Sequence, residues 1–246
     1  MDITISGANG RMGKVLFELI KAGDDFHAAA LVDSTFETDS KAKTFKRIFE
    51  YTGKSDAIID FSFHSCAPVL CTYAVKTKTP LVIATTGHTE KEKSMIFSAA
   101  KHIPVFYSAN MSLGVSLTVC IAKMAAKAFP DSEIEIIETH HDKKADVPSG
   151  TALMIAEAVR SVRPQLQIKF GHCFGGTRTK NELYIHSLRL GNSAGSHEIV
   201  FALPFQTVTI KHEAHDRKLF AEGALAAAKF IAEKECGLYS VEDILG

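Results

Sequence analysis

The stretch D-I-T-I-S-G-A-N-G-R-M-G-K-V-L-F-E-L-I, residues 2 to 20, decides the fold of this 246-residue chain. Its first five residues are β-prone, and a G-x-x-G-x-x-G turn follows them directly. The helical pattern after the turn places Val15, Leu16, Leu19 and Ile20 at apolar positions. A strand, a glycine turn and a helix in this order predict the first part of a nucleotide-binding sheet, because glycines allow a tight turn and let the backbone approach a pyrophosphate.

The glycine turn is the first predicted contact surface for a dinucleotide. Glycine-rich turns after strands also serve purely structural ends, so the turn alone leaves both readings open. If a dinucleotide binds, the contacts fall on a continuous run of residues: Gly7, Ala8, Asn9, Gly10, Arg11 and Met12.

An acidic residue ends the second predicted strand, at residues 28 to 33. Asp33 lies at about the twenty-residue offset at which a carboxylate accepts hydrogen bonds from the adenosine ribose. The same carboxylate repels a 2′-phosphate, and Ser34 rather than an arginine follows it, so NADH is favoured. Arg11 could still meet a 2′-phosphate, which keeps NADPH open. The alternative for Asp33 is a solvated acid at a strand end.

Strands and helices alternate through the first 112 residues. Further strands are predicted at 57–61, 80–84 and 104–108, with helices at 67–76 and 90–101 between them. A connecting helix and loops are predicted for residues 35 to 55. Alternation of this kind indicates an α/β fold with a doubly wound parallel sheet, whose ligand lies beyond the carboxyl ends of the strands. Small residues after two strand ends are therefore further predicted cofactor contacts: Ala84, Thr85, Thr86, Ser108, Ala109, Asn110 and Met111.

A largely apolar helix at 112–127 predicts the crossover into a second domain. Strands predicted at 133–139, 182–190, 196–203 and 207–212, one pair joined by a hairpin through 191–195, make an α+β domain with a mixed, mostly antiparallel sheet. The predicted domains are 1–112, completed by a C-terminal helix in 217–246, and 113–216.

The densest polar chemistry lies in E-T-H-H-D-K-K-A-D-V-P-S-G-T-A, residues 138 to 152. Apolar positions after it predict a helix capped by Ser149 or Gly150. The backbone N–H groups at such a helix start, beside histidines and lysines, suit a small anion. The plain alternative is a pair of strand-end histidines and a pair of surface lysines.

Residues 138–152 resemble the signature of the dihydrodipicolinate reductase family, and three more of its motifs follow in the family's order. These are the G-x-x-G-R-M-G loop, a T-T-G turn at 85–87 and an H-x-A-x-x-R segment at 212–217. The resemblance implies a two-domain enzyme of diaminopimelate and lysine biosynthesis. It would pass a hydride from NADH or NADPH to a cyclic dicarboxylate, giving tetrahydrodipicolinate, and would assemble as a homotetramer through the sheet of the second domain.

The resemblance also implies roles for particular residues. His140 would donate or accept a proton, and Lys144 would be a proton donor that polarises the ring nitrogen of the substrate. The substrate carboxylates would be held by three other residues, His141, Gly150 and Thr151. Four departures from the family's usual residues concern the shape of the nicotinamide pocket and remove no catalytic group: Ala84, His88, Met111 and Val147.

Composition excludes several other classes of function. Lys plus Arg equals Asp plus Glu, 28 each, so no overall field predicts a nucleic-acid or membrane partner. No signal peptide or membrane span is apparent, and a cytoplasmic protein is expected. The cysteines are odd in number, scattered and predicted to be reduced thiols: Cys66, Cys71, Cys120, Cys173 and Cys236.

Two alternatives to the reductase remain. One is a different two-domain dehydrogenase of a small amino or keto acid. The other is a non-catalytic dinucleotide sensor or a protein that binds a metal through His140, His141 and Asp142. Adjacent histidines on an extended segment point to opposite faces, so no metal is predicted.

Overall fold

The computed structural model describes residues 1–172 and 177–246. Cys173, whose thiol was predicted to be reduced, lies outside the described residues. The chain divides into two compact units. The first unit comprises residues 1–113 and 217–246, and the second comprises residues 114–216.

Six strands of the first unit come from the N-terminal part of the chain, and they pair only in parallel. Their order in the sheet is β3-β2-β1-β4-β5-β6, the order of a Rossmann-type sheet. The strands are β1 (Asp2–Ser6), β2 (His27–Val32), β3 (Thr44–Phe45), β4 (Ala57–Asp60), β5 (Leu81–Ile83) and β6 (Pro104–Tyr107).

Helices cover both faces of this sheet, as a doubly wound fold requires. Leu16 and Ile20 of α1 (Arg11–Ala22) belong to one buried cluster. Leu70 of α2 (Ala67–Thr77) and Ile96 of α3 (Glu90–Ala99) belong to another. The strands between them are buried on both sides, which explains their continuous apolar runs.

Residues 35 to 55 differ from the prediction. The connecting helix expected there is wrong: the chain forms the short edge strand β3 and a single 3₁₀ turn at Ile48–Glu50. Phe45 and Ile48 are both buried. The apolar residues that suggested one face of a helix therefore belong to a strand and a turn.

The glycine turn after β1 is tight enough to require glycine at two positions. Gly7 has φ of 76°, and a Cβ there would come 2.7 Å from the backbone carbonyl of Phe61. A Cβ on Gly13 would come 2.1 Å from the carbonyl oxygen of Gly7. Any side chain would push α1 away from β1, so the spacing of these glycines is a packing requirement.

The second unit begins with α4 (Leu113–Ala128), whose first residue lies at the boundary. Its five-stranded sheet has the order β11-β10-β7-β9-β8. Two of its pairings are antiparallel and two are parallel, so the sheet is mixed in equal parts. The remaining elements are β7 (Glu133–His140), α5 (Gly150–Val162), β8 (Gln167–Phe170), β9 (Glu182–Arg189), β10 (Gly195–Leu203) and β11 (Gln206–Ala214).

The connection through residues 191–195 is not a hairpin, which corrects the prediction. β9 and β10 lie on either side of β7 instead of pairing with each other. The apolar strand β7 therefore lies at the centre of the five-stranded sheet, with β10 paired to one of its sides and β9 to the other. This arrangement brings both ends of the 191–195 connection to the carboxyl end of β7.

Alternation along β7 separates an apolar face from a polar face. Ile134 and Ile136 are fully buried, and they share one buried cluster with Ile155 of α5 and Val119 of α4. Glu135 points to the opposite face and is partly exposed. Glu138 and His140 break the pattern, because they are polar residues on the buried face.

The C-terminal residues return to the first unit through α6 (Lys218–Ile231), β12 (Gly237–Tyr239) and α7 (Val241–Leu245). Ala224 and Ala228 of α6 join the same buried cluster as α1. β12 pairs in parallel with β6 and completes a seven-stranded sheet. The α/β fold class, with a Rossmann-type parallel sheet and a second mixed sheet, is confirmed, although β3, β8 and β12 were not predicted. No helix within the described ranges is long and apolar enough to cross a membrane.

Candidate active site

The glycine turn forms a compact loop at the carboxyl end of β1. The N–H groups of Gly7 and Ala8 donate to the carbonyl of Val32 at 2.9 and 3.1 Å, and the Gly10 N–H donates to Gly7. Gly10 then precedes α1 with no side-chain cap. The helix therefore begins with uncapped N–H groups beside the turn, an arrangement that suits a phosphate. Arg11 is exposed, and Met12 is partly buried.

Asp33 lies beside this turn and is held by two neighbours. Its carboxylate accepts from the Asn9 N–H at 3.1 Å, the Thr35 N–H at 3.0 Å and the Thr35 hydroxyl at 2.7 Å. Burial raises the pKa of Asp33, but the hydrogen bonds from Thr35 and Asn9 outweigh it and leave the pKa below its usual value. The group is an anion at neutral pH, oriented next to the turn.

The other predicted cofactor residues follow β5 and β6 at the same edge of the parallel sheet. The Thr85 hydroxyl donates to the carboxylate of Asp60 at 2.9 Å, and Ala84 donates its N–H to the Asp60 carbonyl. Burial raises the pKa of Asp60. Beyond β6, the Ser108 hydroxyl donates to the Asn110 carbonyl at 2.7 Å. Two of the predicted residues, Thr86 and Ala109, are exposed, whereas Met111 is buried.

In the second unit, the site is built around the carboxyl end of β7. Two residues apart on one strand, Glu138 and His140 point to the same face. The His140 Nδ1 and a Glu138 carboxylate oxygen are 2.5 Å apart. The Glu138 side chain is completely buried and that of His140 is 10% exposed. A buried carboxylate is stable only when donors surround it, and here they do.

Glu138 receives donors from two elements besides its own strand, β9 and the N-cap of α5. Arg189 Nη2, at the end of β9, lies 2.7 Å from Oε1, and the Ser149 N–H lies 3.3 Å from it. Burial raises the pKa of Glu138, but hydrogen bonds from Arg189, Ser187 and His140 lower it below its usual value. Glu138 is therefore ionised, and an ionised carboxylate only accepts hydrogen bonds.

It follows that the proton of neutral His140 sits on Nδ1 and that Nε2 carries the free lone pair. Nε2 faces the backbone of Gly195, where a Cβ would come 2.9 Å from it. Burial lowers the pKa of His140, the hydrogen bond to Glu138 raises it, and Lys144 and Arg189 lower it further; the net shift is downward.

The segment 141–149 is tied back by a few polar contacts. Lys144 Nζ pairs with Asp146 Oδ1 at 2.7 Å, and Arg189 Nη2 also donates to the Asp146 carbonyl at 2.6 Å. Asp146 therefore holds Lys144 within the same segment. Lys143, the neighbour of Lys144, is exposed.

α5 begins at the predicted place. Ser149 is its N-cap, and its hydroxyl accepts the Ala152 N–H at 3.2 Å. The same hydroxyl lies 3.0 Å from Nε2 of His197, a buried residue of β10. Gly150, the first residue of the helix, is exposed, and Thr151 is partly buried. The helix start, His140 and Lys144 thus belong to one continuous segment.

Three polar residues of this site were not predicted to be functional. Arg189 pairs with His140 in the register of β9, and His197 pairs with Glu138 in the register of β10. Strand alternation alone could have identified Glu138, whereas Arg189 and His197 become neighbours only through the strand order. The predicted residue His141 is partly buried and donates its N–H to Ser193 at 2.9 Å.

Among the residues that the structure describes, two groups of glutamate and histidine bring their ligand atoms within 4.8 Å of one another, close enough to hold a metal. One comprises Glu138, His140 and His197. We define the Glu138 cluster as these three residues with Arg189 and Ser149.

The other group comprises Glu135, His172 and His186, on the opposite face of β7, and Arg178 also pairs with Glu135. We define these four residues as the Glu135 cluster. In each cluster an arginine already neutralises the carboxylate, which disfavours a cation there.

Models of one family match both halves of the chain. The model described as dihydrodipicolinate reductase, N-terminus, matches residues 1–111, and the model of its C-terminus matches residues 114–245. The chain is 43% identical to 4-hydroxy-tetrahydrodipicolinate reductase of Caldanaerobacter subterraneus subsp. tengcongensis, covering 99% of this chain and 97% of the relative. It is 41% identical to the enzyme of the same name from Rickettsia bellii, covering 99% and 94%.

Solved structures agree. The fold matches dipicolinate-bound dihydrodipicolinate reductase from Paenisporosarcina sp. TG-14 with a TM-score of 0.84 and 25% identity, over 99% of both chains. A diaminopimelate dehydrogenase of C. glutamicum shares the fold more distantly, with a TM-score of 0.60 and 12% identity over 98% of this chain and 92% of the other. From end to end, therefore, this chain belongs to the dihydrodipicolinate reductase family.

Proposed function

We propose which residues of this chain bind the substrate, which bind the cofactor and which transfer protons in the family's reaction. The protein is an oxidoreductase that reduces 4-hydroxy-tetrahydrodipicolinate to tetrahydrodipicolinate in diaminopimelate and lysine biosynthesis, with NAD(P)H as the hydride donor. The main support for this assignment of roles is the segment 138–151, which contains a buried, oriented histidine, a lysine and a helix N-terminus. In our proposal the second unit binds the substrate and the first unit binds the dinucleotide.

The chemistry of reduction explains the need for a histidine and a lysine. When bound, NAD(P)H would supply a hydride to an electron-poor C=C–C=N system, which forms once the 4-hydroxy group has left the substrate as water. The negative charge that develops there must be quenched by a proton. We assign proton donation to Nε2 of His140, because Nδ1 is committed to Glu138. Lys144 polarises the ring nitrogen and offers a further proton.

The dicarboxylate substrate needs donors for its two anionic groups. The first turn of α5, at Gly150 and Thr151, presents backbone N–H groups and a hydroxyl at the positive end of the helix dipole. His141 supplies the remaining contact. Hydrogen bonds to a charged group contribute about 1.5–3 kcal/mol each. A bound dianion also raises the pKa of His140, which favours the protonated donor.

The turn at residues 7–13 and Asp33 support a dinucleotide in the first unit. The backbone at Gly7 and Gly13 leaves no room for side chains, and Asp33 is held as an anion beside it. We propose that the contacts continue through Ala84 to Thr86 and Ser108 to Met111. Because an anionic Asp33 repels a 2′-phosphate, NADH is preferred. The ratio of kcat/KM for NADH and NADPH tests this, and a ratio in favour of NADPH would contradict it.

We further propose a metal-free cytoplasmic homotetramer assembled through the sheet of the second unit. The cysteines among the described residues, Cys66, Cys71, Cys120 and Cys236, are unpaired, a pattern typical of a reducing compartment. Light scattering should give four times the mass of one chain, and a chelator should leave turnover unchanged. A monomeric mass, or loss of activity restored by added metal, would contradict this proposal.

The test of function is direct. Substrate generated by dihydrodipicolinate synthase is mixed with this protein, and nicotinamide absorbance is followed with NADH and with NADPH. We expect oxidation of the cofactor and competition by pyridine-2,6-dicarboxylate. Folded protein that oxidises neither cofactor would refute the assignment. Turnover without competition by the planar dicarboxylate would favour a dehydrogenase of another small acid.

A further inference from the structure

Glu138 is the only charged residue on the buried face of β7, and nothing in the reaction itself requires it to touch the substrate. It is fully buried next to the apolar core of the second unit, where an ionised group is costly. Its neighbours on that face, Ile134 and Ile136, are also fully buried. A carboxylate kept in such a place has a role that an apolar residue could not fill.

The contacts of Glu138 specify that role. One carboxylate oxygen meets His140 Nδ1 at 2.5 Å, while the other meets Arg189 Nη2 at 2.7 Å and the Ser149 N–H. We infer that Glu138 is a positioning residue of the reductase: clamped by Arg189 and Ser149, it holds the Nδ1–H tautomer of His140 and directs Nε2 toward the substrate. This inference rests on the proposed role of His140.

The opposite side of the imidazole supports the same reading. Nε2 lies against Gly195, the first residue of β10, at a place where any Cβ would come 2.9 Å from it. Glycine at this position keeps a side chain away from Nε2, while Glu138 fixes the other edge of the ring. Any larger residue at position 195 would crowd the nitrogen to which we assign proton donation.

The charge of Glu138 also determines when His140 is protonated. The charged and titratable groups that face His140 are Glu138 on its own strand, Lys144 on the following segment, Arg189 on β9 and His197 on β10. Only Glu138 favours the imidazolium. Without its charge, burial and the two cations would lower the pKa of His140 further.

Glu138→Gln tests the inference, because glutamine keeps the shape and loses the charge. If protonated His140 is the donor, turnover falls as pH rises through its pKa. In Glu138→Gln this high-pH limb of kcat should move to lower pH by about one unit or more. kcat should fall about 10- to 100-fold, with KM changed less than about twofold. Glu138→Asp, which retains the charge, should keep the limb closer to that of the wild type.

Glu135→Gln is the matched control. Glu135 lies three residues earlier on β7 and also pairs with an arginine and a histidine, but on the other face. Its variant should leave the pH limb in place. An equal shift in both variants, or no shift in Glu138→Gln, would overturn the inference.

A second readout does not depend on turnover. Spectra of ¹⁵N-histidine-labelled protein should show His140 protonated on Nδ1, assigned by its loss in His140→Gln. In Glu138→Gln this tautomer should no longer dominate, and its persistence would count against the inference. If the wild type reduces no substrate, the proposed function fails, while the tautomer still reports on Glu138.

Discussion

Two clusters centred on the same strand contain the same three residue types but have different proposed roles. Glu138 binds one arginine and one histidine, and Glu135 binds one arginine and two histidines, but an odd spacing of three places the two glutamates on opposite faces of β7. The side chain of Glu135 is 25% exposed, and that of Glu138 is fully buried. We infer from the comparison that burial, rather than residue type, lets a glutamate–arginine–histidine group orient one nitrogen of its histidine.

The largest expected difference between the clusters concerns turnover. His140→Gln and Lys144→Ala should each lower kcat by about 10²- to 10⁴-fold, the usual contribution of a positioned proton donor. His186→Gln, in the Glu135 cluster, should leave kcat within about twofold of the wild type under the same reasoning. Steady-state kinetics with NADH measure this, and fluorescence titration should show unchanged cofactor binding. Equal losses of kcat in the variants of both clusters would contradict the proposed difference between the clusters.

Stability should differ next. Glu138→Ala leaves the guanidinium of Arg189 without its carboxylate at a site only 15% exposed, a loss of about 3–5 kcal/mol in the free energy of unfolding. Glu135→Ala breaks a more exposed pair and should cost about 0–1 kcal/mol. Because the chain has no tryptophan, urea unfolding is best followed by far-UV circular dichroism. A smaller loss of unfolding free energy in Glu138→Ala would mean that solvent reaches the Glu138 cluster more easily than its burial indicates.

The two clusters should also differ in how strongly they make the stability of the protein depend on pH. Burial, and then the charge of His140, lower the pKa of His197 from 6.5 to about 4. Between these values the unfolded chain binds more protons than the folded chain, so stability falls as pH drops through this window. The loss amounts to about 3 kcal/mol by linkage. His197→Asn should flatten the curve of unfolding free energy against pH, whereas His186→Asn should retain the wild-type slope.

The smallest effect concerns two glycines of one connection. Gly195→Ala puts a Cβ beside Nε2 of His140 at φ of 153°, and Gly191→Ala meets open space at φ of 57°. Both should lose about 1–3 kcal/mol of stability through backbone strain. Only Gly195→Ala should also lower kcat, with KM and pH profile recorded alongside. A similar kcat for the two variants would show that the reactive edge of His140 is not at Gly195.

Local features of this protein were predictable from its sequence, and long-range neighbours were not. The turn at 7–13, the helix start at Ser149 or Gly150 and the strand at 133–139 depend on residues close in the chain, and all three were predicted. Arg189 and His197 reach His140 only because β9 and β10 flank β7, which corrects the expected hairpin. The edge strands β3, β8 and β12 are two to four residues long, too short for a periodic signal.

The return of α6 to the first unit affects how this protein is made. The first unit is split in sequence, whereas the second unit is one continuous run, residues 114–216. In α6, a Cβ at Gly223 would come 1.7 Å from the carbonyl oxygen of Met111, so this helix packs directly on the chain before the second unit. During synthesis the first unit must wait for that helix, while all of the second unit has already been translated. The half of the protein that contains His140 can therefore fold first on the ribosome.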